Sequence, residues 1–151
     1  MADRARLGTL VLRFDVISIF GEMFSAITAQ GVSAKALERS LYDLVLWNPR
    51  DFTRDKHRTI DDRPYGGGPG MVMMYEPLRD TFRAVDQAAA DVPNHRIYLS
   101  PQGKPLTQKK IEELAVLPRI TLLCGRYEGV DERVIENLVT DQISIGDFVV
   151  T

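Results

Sequence analysis

Residues 96–124, RIYLSPQGKPLTQKKIEELAVLPRITLLC, carry the pattern that decides the fold. Arg96-Ile97-Tyr98-Leu99-Ser100 is β-branched and aromatic, as a strand should be, and Pro101-Gln102-Gly103 turns the chain. Thr107 stands in the N-cap position of a helix whose Ile111, Leu114 and Ala115 share one face up to Pro118. Ile120-Thr121-Leu122-Leu123-Cys124 is then a second strand. The same alternation continues outward. Residues 14–20 (FDVISIF) form a first strand that stops at Gly21, and Leu44-Val45-Leu46-Trp47 a buried strand that ends before Pro49. Between them Met23, Ile27, Ala34, Leu37 and Leu41 recur at helical spacings, with Gly31 dividing two helical pieces. Pro77 suits the first turn of a helix whose Leu78, Phe82, Val85 and Ala89 fall on one face, ending near Pro93. Asp131 can cap a helix with Val134, Ile135 and Leu138 inward, and residues 143–145 and 148–150 are short extended pieces. Alternating strands and helices predict an α/β fold with a mostly parallel sheet. Residues 48–71 show no sustained period and read as one long loop.

A chain of 151 residues, 44% hydrophobic and 26% charged, has the size and composition of one globular domain. Its longest apolar runs, such as residues 71–75, fall far below the ~18 residues a membrane span needs, and no cleavage site follows the charged N-terminus. The expectation is a cytoplasmic protein without a membrane span. One cysteine, Cys124, forms no internal disulfide, and with only His57 and His95 no zinc cluster of ordinary spacing arises, so no metal ligand is assigned. The net charge of −2 gives no overall electrostatic footprint for nucleic acid, so any such binding must be local. The nearest candidate, residues 50–63, mixes Arg50, Arg54, Lys56, Arg58 and Arg63 with Asp51, Asp55, Asp61 and Asp62, and reads as a salted loop rather than a basic patch.

In an open α/β sheet ligands bind beyond the carboxyl ends of the strands. Three glycine-bearing segments occupy that place: Pro101-Gln102-Gly103, Gly125-Arg126-Tyr127-Glu128-Gly129 and Gly146-Asp147. Each could be a tight turn, or together they could bring backbone N–H and C=O groups to a flat, adenine-like group. Residues 61–71, DDRPYGGGPGM, lack both the Lys-Ser/Thr ending of a phosphate loop and the G-x-G-x-x-G spacing of a dinucleotide site. They read as a flexible linker or as a loop passing close to something flat, with Asp61, Asp62 and Arg63 pairing among themselves or meeting a base edge. Cys124 ends an apolar strand as a small core residue rather than a nucleophile, His57 is solvated between Lys56 and Arg58, and Met71, Met73 and Met74 suit core or pocket lining.

At these same residues the chain closely resembles the bacterial tRNA (guanine-37-N1)-methyltransferases of the knotted SPOUT superfamily. The resemblance runs from about Phe14 to Thr151. It rests on Pro49-Arg50-Asp51-Phe52-Thr53, His57-Arg58-Thr59, the triple-glycine stretch, residues 98–103, 124–129, 131–135 and 144–147. Gly21 stands where proline is usual, and residues 1–12 form an N-terminal extension.

The resemblance implies a SPOUT-type α/β domain over residues 13–151, with helices on both faces of the sheet and a deep trefoil knot in the full-length protein. It implies a cytoplasmic homodimer that transfers the methyl group of S-adenosyl-L-methionine to N1 of the guanine 3′ of the anticodon of a tRNA, Mg²⁺ being a possible second requirement. The cofactor contacts it implies are Tyr98, Leu99, Ser100, Pro101 and Gly103 from one loop, Gly125, Tyr127 and Glu128 from the second, and Ile145, Gly146, Asp147, Phe148, Val149 and Val150 from the third. Arg58, Asp61, Arg63, Tyr65 and Gly67 are implied RNA or guanine contacts. The general base and its arginine partner are expected beyond Thr151. The chain is therefore expected to be the N-terminal part of the enzyme, its domain incomplete, its tRNA-gripping C-terminal domain absent, and the fragment inactive alone. A reading from another class is a non-catalytic nucleotide- or RNA-binding module.

Overall fold

The computed structural model describes residues 11–64 and 66–148. Five strands form the main sheet: β1 (Leu12–Ile17), β2 (Tyr42–Trp47), β5 (His95–Pro105), β6 (Arg119–Cys124) and β7 (Asp141–Ser144), in the order β2-β1-β6-β5-β7. Every neighbouring pair is parallel, so the mostly parallel α/β reading holds. Short helices α1 (Ser25–Thr28) and α2 (Gly31–Glu38) join β1 to β2, and the chain divides before Gly31 as its positive φ of 72° favours. Helix α3 (Tyr75–Ala88) precedes β5, α4 (Gln108–Ala115) joins β5 to β6, and α5 (Glu132–Leu138) joins β6 to β7.

Alternation along the strands separates two cores. Ile17, Tyr98 and Leu123 point to one face and pack with Leu78, Phe82 and Val85 of α3 and Val134 of α5. Ile97, Ile120 and Ile143, one residue out of step, point to the other and pack with Phe14, Leu99, Leu122 and Leu114 of α4. Helices therefore cover both faces of the sheet. Thr107 caps α4 by accepting from the Lys110 N–H at 3.1 Å, and Asp131 caps α5 by accepting from the Arg133 N–H at 2.9 Å, as their spacing predicts.

Three expectations need correction. Residues 48–71 are not one irregular loop. They hold a 3-10 turn at Pro49–Phe52, and β3 (Asp61–Asp62) pairs antiparallel with β4 (Val72–Met73), so the glycine-rich stretch is the tip of a hairpin rather than a linker. β5 does not end at Ser100. It bulges over residues 100–103 and resumes, so that both Leu99 and Lys104 face Ile143 of β7. Finally, α3 stops at Ala88, short of Pro93, where Ala89 leaves helical geometry (φ −150°, ψ 61°) and a buried arginine binds carbonyls at the helix end. Arg119 donates to the Ala89 carbonyl at 2.9 Å and to that of Val85, while its Nε holds the Asp15 carboxylate at 2.8 Å. Asp15, fully buried, also accepts from Trp47 Nε1 at 2.9 Å and from Arg13. The expected extended piece at 148–150 lies largely outside the described residues.

Candidate functional site

The three expected loops leave neighbouring strands. In the register the last β5–β6 pair is Leu99↔Cys124, and Leu99 also faces Ile143 of β7, so Ser100, Gly125 and Ile145 emerge along one edge of the sheet. Tyr98 packs against the second of them. Its ring is buried, and a Cβ added to Gly125 would stand 3.0 Å from its Cε2, one added to Gly129 3.7 Å from its hydroxyl. Burial raises the Tyr98 pKa, so the phenol is neutral at physiological pH, and among the described residues its hydroxyl has no hydrogen-bond partner. Gly125, Arg126, Tyr127 and Glu128 are all exposed, and Tyr127 holds a φ of +62°, a strained conformation for a bulky residue that presents the loop's backbone outward.

The first loop is shaped by Ser100, whose hydroxyl accepts from the Gln102 N–H at 3.2 Å while Pro101 and Gln102 are exposed. The Cα of Gly103 packs against β7, since a Cβ there would lie 2.6 Å from the Gln142 carbonyl carbon. A cleft of about 350 Å³ lies beside it, lined by Gln102, Gly103, Lys104, Ile135, Val139, Thr140, Asp141 and Gln142. In the third loop the Ser144 hydroxyl closes a tight turn, donating to the Gly146 carbonyl at 2.8 Å and accepting from its N–H at 3.2 Å. The Phe148 ring lies over Gly146, and Ile145, Asp147 and Phe148 are exposed. Val149 and Val150 lie outside the described residues.

The glycine-rich hairpin is joined to the second loop, a contact that sequence reasoning missed. The Glu128 N–H donates to the Met71 carbonyl, the Met73 N–H to the Gly129 carbonyl and the Asp131 N–H to the Met73 carbonyl, each at 2.9 Å. Asp61 is half-buried in β3 opposite Met73, and Arg63 is exposed beside it. Gly67, with a φ of +88°, has no atom within 4 Å of an added Cβ, so the tip stands free of the fold. Arg58 lies apart, donating to Asp51 and to the Arg50 carbonyl at 3.1 Å, the one ion pair within residues 50–63 among the described residues. No ion pair joins Asp61, Asp62 and Arg63 among the described residues. Tyr65 lies outside the described residues. Arg126 stacks over the Phe20 ring at 5.2 Å and ties the second loop to the end of β1.

Two carboxylates near these loops are held ionised. The hydrogen bond and charge of Arg133 keep Asp131 below the usual carboxylate range. Burial alone would raise Asp141, but Lys110 at 2.7 Å, with His95 behind it, outweighs that and lowers it. Burial pushes the Cys124 thiol up to about 11, so it is a core residue and not a nucleophile. Among the described residues no group of three or more His, Cys, Asp or Glu side chains is placed to hold a metal ion.

A parallel sheet with three loops leaving the carboxyl ends of adjacent strands is the α/β arrangement in which ligands bind beyond those ends. The chain belongs to the tRNA (guanine-1)-methyltransferase TrmD family, whose model matches residues 12–151. It is 55% identical over 140 residues to the tRNA (guanine-N(1)-)-methyltransferase of Hydrogenovibrio crunogenus, a match covering 93% of this chain and 59% of that protein. The Shewanella loihica protein of the same name is 57% identical over 136 residues, covering 90% of this chain and 54% of its own. The crystal structure of the tRNA (m1G37) methyltransferase from Aquifex aeolicus superposes with a TM-score of 0.82 at 36% identity, over 92% of this chain and 62% of that one. The chain thus spans little more than half the length of the curated relatives it matches.

Proposed function

We propose that the protein carrying these residues transfers the methyl group of S-adenosyl-L-methionine to N1 of the guanine 3′ of the anticodon of a tRNA, and that residues 13–151 bind the cofactor. The observation that carries this reading is the departure of three loops from the ends of adjacent parallel strands, with Tyr98 packed against the second of them, in a chain of the TrmD family. The residues fit such a group, since exposed backbone at Gly125 and its neighbours, an unpartnered phenol and the Ser144–Gly146 turn together offer polar contacts around a flat ring. Tyr98, Leu99, Ser100, Pro101 and Gly103 would hold it from one side. Gly125, Tyr127 and Glu128 would do so from the second, and Ile145, Gly146, Asp147, Phe148, Val149 and Val150 from the third. The cofactor supplies an electrophilic methyl group.

Guanine N1 becomes a nucleophile only when its proton is removed, which calls for a positioned base. Asp131 and Asp141 are poor candidates because Arg133 and Lys110 hold them ionised and weakly basic. The resemblance to the methyltransferase family assigns the base and its arginine partner, the completed knot and a tRNA-gripping domain to segments outside these residues. Asp61, Arg63 and Gly67 on the hairpin, with Arg58 and Tyr65, are assigned to RNA or guanine contacts. The same reading carries a cytoplasmic homodimer, with Mg²⁺ as an added requirement to be tested by chelation.

Gly125→Val tests the site. Its Cβ starts 3.0 Å from the Tyr98 ring, at the exposed beginning of the second loop. Calorimetry with S-adenosyl-L-methionine should show binding to the parent and none to the variant. Equal affinities would show that the pocket lies elsewhere.

A further inference from the structure

Arginines lie over aromatic rings four times among the described residues: Arg79 and Arg133 over Tyr75, Arg96 over Phe82 and Arg126 over Phe20. The first three also meet a carboxylate, Arg79 that of Asp80 and Arg133 that of Asp131, each at 2.9 Å, and Arg96 that of Asp86. Arg126 differs. Among the described residues it makes no ion pair and its side chain donates no hydrogen bond, so the Phe20 ring, 5.2 Å away, is what holds it. Both side chains are exposed. The ring stands on fixed backbone. The Phe20 N–H donates to the Ser18 hydroxyl at 3.0 Å, the Met23 N–H to the Phe20 carbonyl at 3.1 Å, and the Ser18 N–H to the Trp47 carbonyl at 2.9 Å, which ties the turn after β1 to the end of β2. Because β1 and β5 flank β6 on opposite sides, an Arg126 side chain resting on Phe20 leans towards β1, away from Tyr98 and from the loops that follow β5 and β7.

A guanidinium laid on a ring keeps its charge and the N–H groups of its edge, and it has already lost side-chain freedom that a ligand would otherwise have to remove. Its planar fork matches two oxygens of a phosphate. We infer that Arg126 binds a phosphate of the RNA that carries the target guanine, with Phe20 the positioning residue that orients it. The identity of that RNA rests on the methyltransferase reading. The competing anion is the carboxylate of the cofactor, but two of the three loops assigned to the cofactor follow β5 and β7, on the side of β6 from which Arg126 leans away.

Fluorescence anisotropy of a labelled tRNA anticodon stem-loop with the protein carrying this sequence, over a salt series, tests the contact, with calorimetry of S-adenosylhomocysteine beside it. Arg126→Gln should weaken RNA binding about tenfold, the worth of one charge-assisted pair. It should also lower the slope of log K against log salt by about 1, and leave S-adenosylhomocysteine affinity and melting temperature as in the parent. Arg126→Lys should keep the slope and lose part of the affinity. Phe20→Leu should keep the slope and weaken binding by about threefold, and Phe20→Tyr should restore it. Neutralising the RNA linkages one at a time as methylphosphonates locates the phosphate: at one linkage the parent loses affinity and Arg126→Gln loses none further. An unchanged slope in Arg126→Gln, or no RNA binding by the parent at low salt, would overturn the inference. An unchanged slope with S-adenosylhomocysteine affinity lost would assign the arginine to the cofactor carboxylate instead and spare the methyltransferase reading. RNA binding with the expected dependence on Arg126, but no S-adenosylhomocysteine binding by the parent, would uphold the phosphate contact and count against that reading alone.

Discussion

Replacing Gly103 by alanine puts one methyl group where the backbone of β7 already lies. The new Cβ would stand 2.6 Å from the Gln142 carbonyl carbon and the Ile143 nitrogen and 2.7 Å from the Ile143 carbonyl carbon, all main-chain atoms that no rotamer change can move. Ordinary contact begins at 3.4 Å, so β7 must retreat from β5 by about 0.8 Å in a packed interior that resists such shifts. The retreat stretches the ladder at Lys104↔Ile143 and Pro105↔Ser144, and with it the 2.8 Å bond from the Leu106 N–H to the Ser144 carbonyl. Overpacking of this kind costs about 1–3 kcal/mol. One weakened hydrogen bond adds roughly 1 kcal/mol. A loss of about 2–4 kcal/mol lowers Tm by on the order of 10 °C in a domain of this size. Thermal unfolding followed by circular dichroism measures it, with Gly67→Ala as the comparison, whose strained φ of +88° costs about 1–2 kcal/mol without any clash. If Gly103→Ala melts within about 2 °C of the parent, below what the clash requires, then Gly103 is not packed against β7 and the bulge is misread.

Asp15→Asn should cost about 3–5 kcal/mol in urea unfolding at pH 7, because it leaves the buried Arg119 guanidinium without its counter-charge; an unchanged midpoint would refute the pairing. Burial alone would raise the Asp15 carboxyl, but hydrogen bonds from Arg13, Trp47 and Arg119 outweigh it and hold it below its ordinary value. A carboxyl lowered by folding contributes stability that is present above the unfolded value of about 4 and is lost as pH falls towards the folded one. The parent's urea midpoint should therefore drop between pH 5 and 3, with Asp131 and Asp141 adding to the same window, and the drop should be shallower in Asp15→Asn. With its thiol pushed up to about 11, native Cys124 should react with iodoacetamide at pH 8 far more slowly than in urea, since only about one molecule in a thousand is thiolate; equal rates would place it at the surface.

Much of the fold was legible because its signals are local. The β5, α4 and β6 pattern, the caps at Thr107 and Asp131, and the break before Gly31 each depend on residues within a few positions of one another. The β3–β4 hairpin was not, because two-residue strands carry no period and their pairing depends on positive φ at Gly66, Gly67, Gly68 and Gly70. Nor was the Arg119–Asp15 pair, which joins residues 104 positions apart; its only trace was an aspartate amid the apolar residues of β1. At the site, glycines after strands marked all three loops, yet Gly103 and Gly146 are covered by the chain's own atoms, which composition cannot foretell. The ladder from residues 71–73 to 128–131 is made of backbone bonds and leaves no side-chain signature.

The central claim is that this domain presents S-adenosyl-L-methionine to a guanine of tRNA. The most direct measurement incubates the protein carrying this sequence with methyl-labelled S-adenosyl-L-methionine and unmodified tRNA, then locates the label by nucleoside mass spectrometry. The account predicts labelled N1-methylguanosine 3′ of the anticodon, lost in Gly125→Val. Label on another atom or another nucleotide, or none at all while calorimetry shows the cofactor bound, would contradict it.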